Sequence, residues 1–340
     1  MTRLTRIFIC AAAAVMTAVA LSCSKFTYHA AEHDESSVYV NVSGAAESEV
    51  TSHVMMTRLI NACHYVWEAD TAAHKVRLGE YYAVAYRASE LYDITALDDF
   101  KADPAVSMQD VYAVLPTDYE NYGKMADFNP YSSFIRQADE LLECDFKKVS
   151  VLDTAMVINL KPKSVTQTIS FRLKVKTGAG ITIEELTAAI SGVPSKVRLM
   201  SGLVRNDAEN PTYRQYVPMT KSVASDTYEG QVSVLGLFSP MSSSHTSGPG
   251  IFQVMVRAKV KDGGQEFSRV FYAGINMKSA IDRAGLMEEA ADRSGFRIKR
   301  SYAVIDIPVV LDVRADSIFA GEGEGLEKWF ENDADIEVEV

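Results

Sequence analysis

The cysteine at position 23 is the residue of this sequence whose surroundings most clearly predict chemistry. It follows an alanine, a leucine and a serine, which resembles a bacterial lipobox, where a signal peptidase cleaves before the cysteine and the thiol carries diacylglycerol. The uncharged stretch Ile7–Leu21 comes after two arginines and has the length of a signal peptide, too short to span a bilayer comfortably. We therefore predict a signal peptide at residues 1–22 and lipidation of Cys23. The alternative is ordinary secretion, with the cysteine incidental.

Other residue types that support catalysis or metal binding form no recognisable motif. Among the six histidines, His29 and His33 could share a helical face, but they lie in a polar stretch that we expect to be a tether. The sequence contains no HExxH, GxSxG or P-loop motif. Acid pairs such as Asp98–Asp99 and Glu184–Glu185 are more simply solvated or helix-capping charges. The sequence thus predicts no metal, no cofactor and no enzymatic activity.

The composition is that of a folded, acidic protein. Of the 340 residues, 47% are hydrophobic and 23% are charged, which excludes a wholly disordered chain. The 34 basic and 45 acidic residues give a formal net charge of −11, so a nucleic-acid backbone would be repelled and no nucleic-acid partner is expected. At roughly 100 to 200 residues per domain, the length suggests about two domains.

The remaining cysteines and the aromatic residues each have two readings. Cys63 and Cys144 could pair in an oxidising compartment or stay as buried free thiols, and their spacing does not decide between these outcomes. Trp67, Trp329 and the 16 tyrosines could stack on sugars if they were exposed. Because tyrosine is also a favoured strand residue, we prefer the strand explanation for most of them.

Alternation of apolar and polar residues predicts a chain built mainly of strands. In the clearest example, residues 164–176, Ile169, Phe171 and Leu173 fall on one face while charged and hydroxyl side chains fall on the other. A turn at 262–264 joins two further alternating runs into a hairpin. The same pattern marks other predicted strands at 37–43, 82–86, 111–115, 153–160, 197–203, 228–238, 302–313 and 335–340.

Four segments instead show features of short helices. Residues 50–62 and 277–294 carry apolar side chains at helical spacing. Thr182 to Glu185 has the form of a capping box, followed by Leu186 and Ile190 at helical spacing. The pair Asn129-Pro130 predicts a helix start, because proline suits the first helical position. We therefore expect short helices between the strands.

Many strands with only short helices predict an all-β, mainly antiparallel fold arranged as two β-sandwich domains. The sequence Lys-Pro-Lys at 161–163 is a natural boundary between them. The expected organisation is a signal peptide at 1–22, a lipidated tether at 23–36, an N-terminal sandwich at 37–162 and a C-terminal sandwich at 163–340.

The order of these features resembles the fimbrillin-related lipoproteins of Bacteroidales, most of all the anchor and accessory subunits of their fimbriae. The resemblance covers nearly the whole mature chain. It lies in the lipobox, the tether, the first strand, the segment VRLGEYYAVAY at 76–86, the segment VTQTISFRL at 165–173, and a glycine-rich stretch with Trp329 before an acidic, alternating end. It implies two transthyretin-like β-sandwich domains and a lipoprotein of the outer membrane that acts in fimbria assembly and cell adhesion.

Within that group, the resemblance implies that subunits bind each other by β-strand addition. Polymerising fimbrillins are cut at a basic residue after the first strand, which opens a groove for a neighbour's strand, whereas anchor subunits keep that strand. No arginine lies between Ser43 and Val54, which favours an anchor or accessory subunit. Ser24-Lys25-Phe26 replaces the acidic run that often follows the cysteine in surface-exported relatives.

The partners implied are fimbrial shaft or tip subunits, the membrane through the lipid, and a host protein or glycan. Our predicted partner-strand interface is the last alternating segment, through Ile336, Val338 and Val340. The alternative is that this segment completes a sheet of its own chain. The alternative function is that of a surface glycan-binding lipoprotein in a polysaccharide-uptake system, which would require a platform of exposed aromatic side chains.

Overall fold

The computed structural model describes residues 34–44, 48–118, 134–139, 141–223, 225–262, 264–315 and 317–321. Strands dominate these residues. Helical structure within them is limited to α1 (Leu97–Ala102), α2 (Lys278–Ala284) and a 3-10 turn at Met108–Asp110. The predicted all-β, mainly antiparallel sandwich fold is therefore confirmed. The predicted signal peptide, tether and last strand lie outside the described residues.

The first half of the chain forms two facing sheets. One has three strands in the order β4-β1-β9, and the other has five in the order β10-β8-β5-β2-β3. The first half also supplies two short strands, β6 and β7, which belong to a separate small sheet. The bounds are β1 (Glu35–Val42), β2 (Ser52–Arg58), β3 (His64–Glu68), β4 (His74–Arg77), β5 (Gly79–Ala88), β6 (Asp93–Thr95), β7 (Tyr112–Val114), β8 (Leu142–Val151), β9 (Met156–Leu160) and β10 (Lys163–Ser164).

The alternation in β1 explains how these two sheets meet. Val38, Val40 and Val42 point inward and are at most 6% exposed. They pack in one cluster with buried side chains of the facing sheet, including Val54 and Tyr81. Burying each valine removes its apolar surface from water, which is the main source of stability in such a core.

The second half forms another pair of facing sheets, in the orders β15-β16-β11-β21-β22 and β14-β12-β17-β18. A hairpin of β19 and β20 lies outside them. The bounds are β11 (Gln167–Thr177), β12 (Ile181–Pro194), β13 (Lys196–Arg198), β14 (Thr212–Val217), β15 (Met219–Lys221), β16 (Thr227–Val234), β17 (Ile251–Asp262), β18 (Gln265–Asn276), β19 (Met287–Glu289), β20 (Phe296–Ile298), β21 (Tyr302–Val313) and β22 (Ile318–Gly321).

A small fifth sheet, in the order β13-β7-β6, joins the two halves, because β7 of the first half pairs with β13 of the second. Hydrogen bonds from Leu115 N to Ser195 O (2.7 Å) and from Leu199 N to Val111 O (3.1 Å) extend the connection. Above it, the cations of Lys196 and Arg198 lie 5.0 and 5.7 Å from the centre of the Tyr112 ring. One apolar cluster also runs through both halves, so the two sandwiches share buried surface.

Two of the predicted helices are strands, and burial on both faces explains why. Residues 50–62 contain β2, in which Val54 faces the first core while Met55 faces the shared cluster. Residues 182–190 lie within β12, where every side chain from Leu186 to Pro194 is buried. A bulge between Ile183 and Glu185 further disturbs the alternation. A strand covered on both faces loses the period of two that identifies it in sequence.

The other two predicted helices are wrong or too long. Only the start of segment 277–294 is helical, because α2 ends at Gly285, whose φ of +56° is the left-handed conformation that terminates helices. The chain then enters β19. Within the described part of the segment after Pro130, Phe134 and Ile135 form isolated bridges and residues 136–139 have no helical structure.

Candidate partner-binding site

Strand β1 is the inner strand of the three-stranded sheet. It pairs antiparallel with β4 through Glu35–Val38 and parallel with β9 through Val38–Val42. Each edge of β1 is therefore hydrogen-bonded to a neighbour over about half of the strand, the two ladders meeting at Val38, and its inward face fills the core. Tyr39 and Val157 form a register pair on the outward face, 41% and 59% exposed.

Side chains from β8 cover part of the outer edge of β9. The Lys147 ammonium donates a hydrogen bond to the Asn159 carbonyl, and the Lys161 amide donates to Asp145 Oδ2 at 2.7 Å. The Asn159 side chain also accepts a hydrogen bond from Asn41 Nδ2 at 3.0 Å. Main-chain groups satisfied in this way have less to gain from an added strand, and a lysine at the edge is a known protection against such pairing.

Two tyrosines protect the opposite edge, on β4. The Arg77 amide donates to Tyr65 Oη at 3.1 Å, and Tyr81 Oη donates to the Arg77 carbonyl at 2.8 Å. Burial raises the pKa of Tyr81, so its hydroxyl keeps the proton that it donates. Both outer edges of this sheet are thus occupied in part by side chains from the facing sheet.

The turn from β3 to β4 is held by an aromatic and ionic contact. His74 stacks on Trp67 with ring centres 4.3 Å apart and lies 2.9 Å from Asp70 Oδ1. The hydrogen bond from His74 holds the pKa of the Asp70 carboxyl below its usual value. Trp67, on β3, is partly buried and packs against the first core. It is therefore a packing residue in this structure rather than part of an exposed platform.

The chain around β1 lacks basic residues. No lysine or arginine occurs between Lys25 and Arg58. Directly after β1, Gly44 adopts a φ of +75°, and a Cβ at this position would lie 3.0 Å from Arg87 Nη1. Arg87 in turn pairs with Glu143. Cleavage at a basic residue, which would release β1, therefore has no site on β1 or in the loop that follows it.

Strand β18 offers a second and longer edge. Among the described residues, its twelve residues pair only with β17. Ion pairs connect β12, β17 and β18 on one face of this sheet. Lys259 of β17 lies 3.2 Å from Glu184 of β12 and 3.7 Å from Glu266 of β18. In an edge strand, alternate main-chain groups point away from the sheet and can accept a partner's strand.

The structure does not describe the lipidation site or the partner-strand residues that the sequence predicts. Cys23, Ile336, Val338, Val340 and Trp329 lie outside the described residues. Cys63 and Cys144 are free thiols. Burial of the Cys144 side chain raises its pKa to about 12.

The side chains that protect the sheet edges were not identified from sequence. Of these, only the lysines at 147 and 148 carry a recognisable signal, because a lysine beside a sheet edge commonly protects it from an added strand. Among the described residues, the exposed tyrosines are Tyr39 in the first sandwich and Tyr302 in the second.

Two further observations concern ligands and membranes. Within the part of the chain that the structure describes, no three His, Cys, Asp or Glu residues are grouped so that they could hold a metal ion. No described helix is long and apolar enough to cross a membrane.

No protein-family model and no curated protein matches the chain. Solved structures do show similarity. A candidate adhesin from Bacteroides ovatus has 13% identity and a TM-score of 0.45, covering 74% of this chain and 86% of its own. The fimbrial anchor protein Mfa2 from Porphyromonas gingivalis has 15% identity and a TM-score of 0.44, covering 84% and 95%. The tip fimbrial protein Mfa3 from the same organism, truncated at its C-terminus, has 14% identity and a TM-score of 0.36, covering 84% and 98%.

Proposed function

We propose that this protein is a lipid-anchored accessory or anchor subunit of a fimbria. In this proposal it sits at the outer membrane through Cys23, acts without catalysis, and binds neighbouring subunits by β-strand addition. The observation that carries the proposal is the position of β1, which is an inner strand of its sheet and has no basic residue at which it could be cut away.

The retained strand has a consequence for assembly. A subunit that receives a neighbour's strand needs an open groove, and in the first sandwich that groove is filled by β1. The buried faces of Val38, Val40 and Val42 would have to leave the core before another strand could enter. Growth by strand insertion therefore stops at this sandwich. A terminal subunit, attached to the membrane or to one end of a shaft, has this property.

Contact with the rest of the fimbria then requires another surface. The free edge of β18 and the alternating segment at 335–340 are the two candidates that the chain offers. Either would add main-chain hydrogen bonds to a partner while alternate side chains supply specificity. Host proteins or glycans are further partners that an exposed fimbrial subunit would meet.

The decisive experiment is deletion of the gene in its own organism, with complementation by the intact protein. We expect changed fimbria length, loss of fimbriae into the medium, or reduced adhesion, and we expect a fimbrial shaft subunit to co-purify with the intact protein. Unchanged length, retention and adhesion would show that the anchor or accessory role is wrong.

A second experiment tests the lipid alone. Metabolic labelling with palmitate should mark the intact protein and not the Cys23→Ala variant. A control substitution at Cys10, inside the predicted signal peptide, should leave the label in place. Persistent labelling after Cys23→Ala would show that Cys23 is not the lipidated residue. The inference from the position of β1 would be unaffected.

A further inference from the structure

Several connections of the first sandwich meet at the end where the described chain begins. The amide of Leu78, between β4 and β5, donates a hydrogen bond to the carbonyl of Asp34 at 2.8 Å. The first residue of β5 is the register partner of the last residue of β8, so the chain passes from β8 to β9 at the same end. The amide of Leu59, directly after β2, donates to the carbonyl of Glu80 in β5 at 2.9 Å, which places the turn from β2 to β3 there too. We call this surface, which consists of residues 34, 59–63, 77–79 and 152–155, the tether end.

The second sandwich is joined at the opposite end of the first. Ala88, the last residue of β5, is the register partner of Leu142, the first residue of β8. The carbonyl of Leu142 accepts a hydrogen bond from the amide of Val165 at 3.0 Å, where the chain enters the second sandwich. The strands β5 and β8 have 10 residues each, so they separate the two ends by about 30 Å. The tether end therefore faces away from the connection to the second sandwich.

Three large aliphatic side chains are exposed at the tether end. Leu59 and Ile60, in the turn after β2, are 37% and 71% exposed, and Leu152, directly after β8, is 62% exposed. Only β5 lies between β2 and β8, so the two loops begin about 10 Å apart. Asn61 has a φ of +53°, and turns favour asparagine for this conformation, but they do not favour the leucine and isoleucine beside it. Neither the core nor the turn geometry therefore explains this exposed apolar surface.

The charges around these side chains are mainly acidic. Asp34, Glu35 and Asp153 are exposed, and the register partner of Glu35 is Arg77. Anionic lipid headgroups attract clusters of basic residues, so they would not attract this surface. Exposed aliphatic side chains instead suit the boundary between the headgroups and the acyl chains of a bilayer.

We propose that the tether end rests on the bilayer, with Ile60 and Leu152 inserted at the boundary between headgroups and acyl chains. This inference rests on the proposed function, since it takes a lipid on Cys23 as the anchor. Asp34 follows Cys23 by eleven positions, so the two residues are at most about 40 Å apart. The lipid thus keeps this end at a high local concentration near the membrane, where a weak apolar contact is enough to orient the fold. The second sandwich then projects away from the membrane.

Quenching by brominated lipids tests the contact in the full-length, lipidated protein. The sequence has two tryptophans, and in a background with both replaced by phenylalanine, Ile60→Trp introduces a single fluorophore at the tether end. In vesicles of phosphatidylcholine brominated on its acyl chains, we expect its emission to fall about two-fold. The matched control is Val223→Trp in the same background, because Val223 is a fully exposed aliphatic residue in the turn between β15 and β16. Its emission should not change, and equal quenching at the two positions would overturn the proposal.

A second substitution tests whether the contact is apolar. Adding Leu152→Asp to the Ile60→Trp protein removes a buried side chain and adds a charge, so the ratio of docked to undocked molecules should fall about ten-fold. Val223→Asp should leave that ratio unchanged. Replacing part of the lipid by phosphatidylglycerol should not increase the quenching, and an increase that salt abolishes would refute the apolar contact.

Palmitate labelling of the same preparation separates this inference from the proposed function. Labelled protein whose Ile60→Trp emission is not quenched would overturn the membrane contact alone, and would leave the surface to a protein partner. An intact protein that takes up no label would overturn both the lipid anchor and the contact that depends on it.

Discussion

Replacing Val38 by alanine tests how much β1 contributes to the stability of the first sandwich. Val38 is fully buried in the first core, where it faces the opposite sheet. The substitution removes two buried carbons, which costs about 1.6 kcal/mol at about 0.8 kcal/mol each. The cavity left behind raises the loss in the free energy of unfolding to about 2 kcal/mol or slightly more. Such a loss is a substantial part of the stability of one domain.

Urea denaturation followed by tryptophan fluorescence measures this loss. In a Trp329→Phe background, Trp67 is the only tryptophan, and it packs against the core that contains Val38. At a denaturant dependence of about 2 kcal/mol per molar urea, Val38→Ala should lower the midpoint of the Trp67 transition by about 1 M.

The neighbouring residue supplies the control. Tyr39 lies on the same strand and is 41% exposed on the outward face. Tyr39→Thr keeps a residue suited to strands and should change the stability by less than about 0.5 kcal/mol. If Val38→Ala lowered the midpoint no more than Tyr39→Thr does, β1 would not be an integral part of the core, and the argument that it fills the partner's groove would fail.

Three further predictions concern a glycine, a carboxylate and the thiols. Gly192→Ala should cost about 3 kcal/mol, because φ is +91° and the new Cβ would lie 2.7 Å from a backbone nitrogen. The lowered pKa of Asp70, caused first by the hydrogen bond from His74, stabilises the fold above the ordinary carboxyl pKa near 4, and this stabilisation should be lost as the pH falls through the folded value. At pH 8, iodoacetamide should alkylate Cys63 in the folded protein and spare Cys144, whose raised pKa keeps it protonated.

Each of these three predictions has a control variant or a measurement that can contradict it. Gly248 has the same φ of +91° but nothing within 4 Å of the added Cβ, so Gly248→Ala should cost only about 1 kcal/mol, and an equal cost at both glycines would refute the packing argument. Asp70→Asn should flatten the acid side of the stability curve, measured by urea midpoints from pH 7 to pH 3. Mass spectrometry after alkylation should find Cys144 modified only in urea, and its modification in the native state would contradict the assigned burial.

The sequence predicts most accurately the strands that have one buried face and one solvent-exposed face. The inward row Ile169, Phe171 and Leu173 in β11 kept its alternation because its other face meets water. Where both faces are covered, as in β12, the alternation is absent, and the capping-box spacing from Thr182 to Glu185 wrongly predicts a helix start. The misreading has a physical cause, since the same residues can satisfy either structure and only the neighbouring sheets decide.

The partner-binding site was predicted only in part. The first strand and the absence of basic residues after it could be read from the chain, because both are local. The inner position of β1 could not, since it depends on β9, more than a hundred residues away. The protection of the edges by Lys147 and Tyr81 likewise depends on which strands the fold places opposite each other.

The placement of β1 also determines how the protein bears mechanical force. Tension applied at Glu35 along the strand axis acts first on the ladder with β4, through Glu35–Val38, and then on the ladder with β9, through Val38–Val42. The ladder bonds run roughly across that axis, so they share the load in shear instead of opening one after another like a zip. A strand held in this way resists a pull along its own axis.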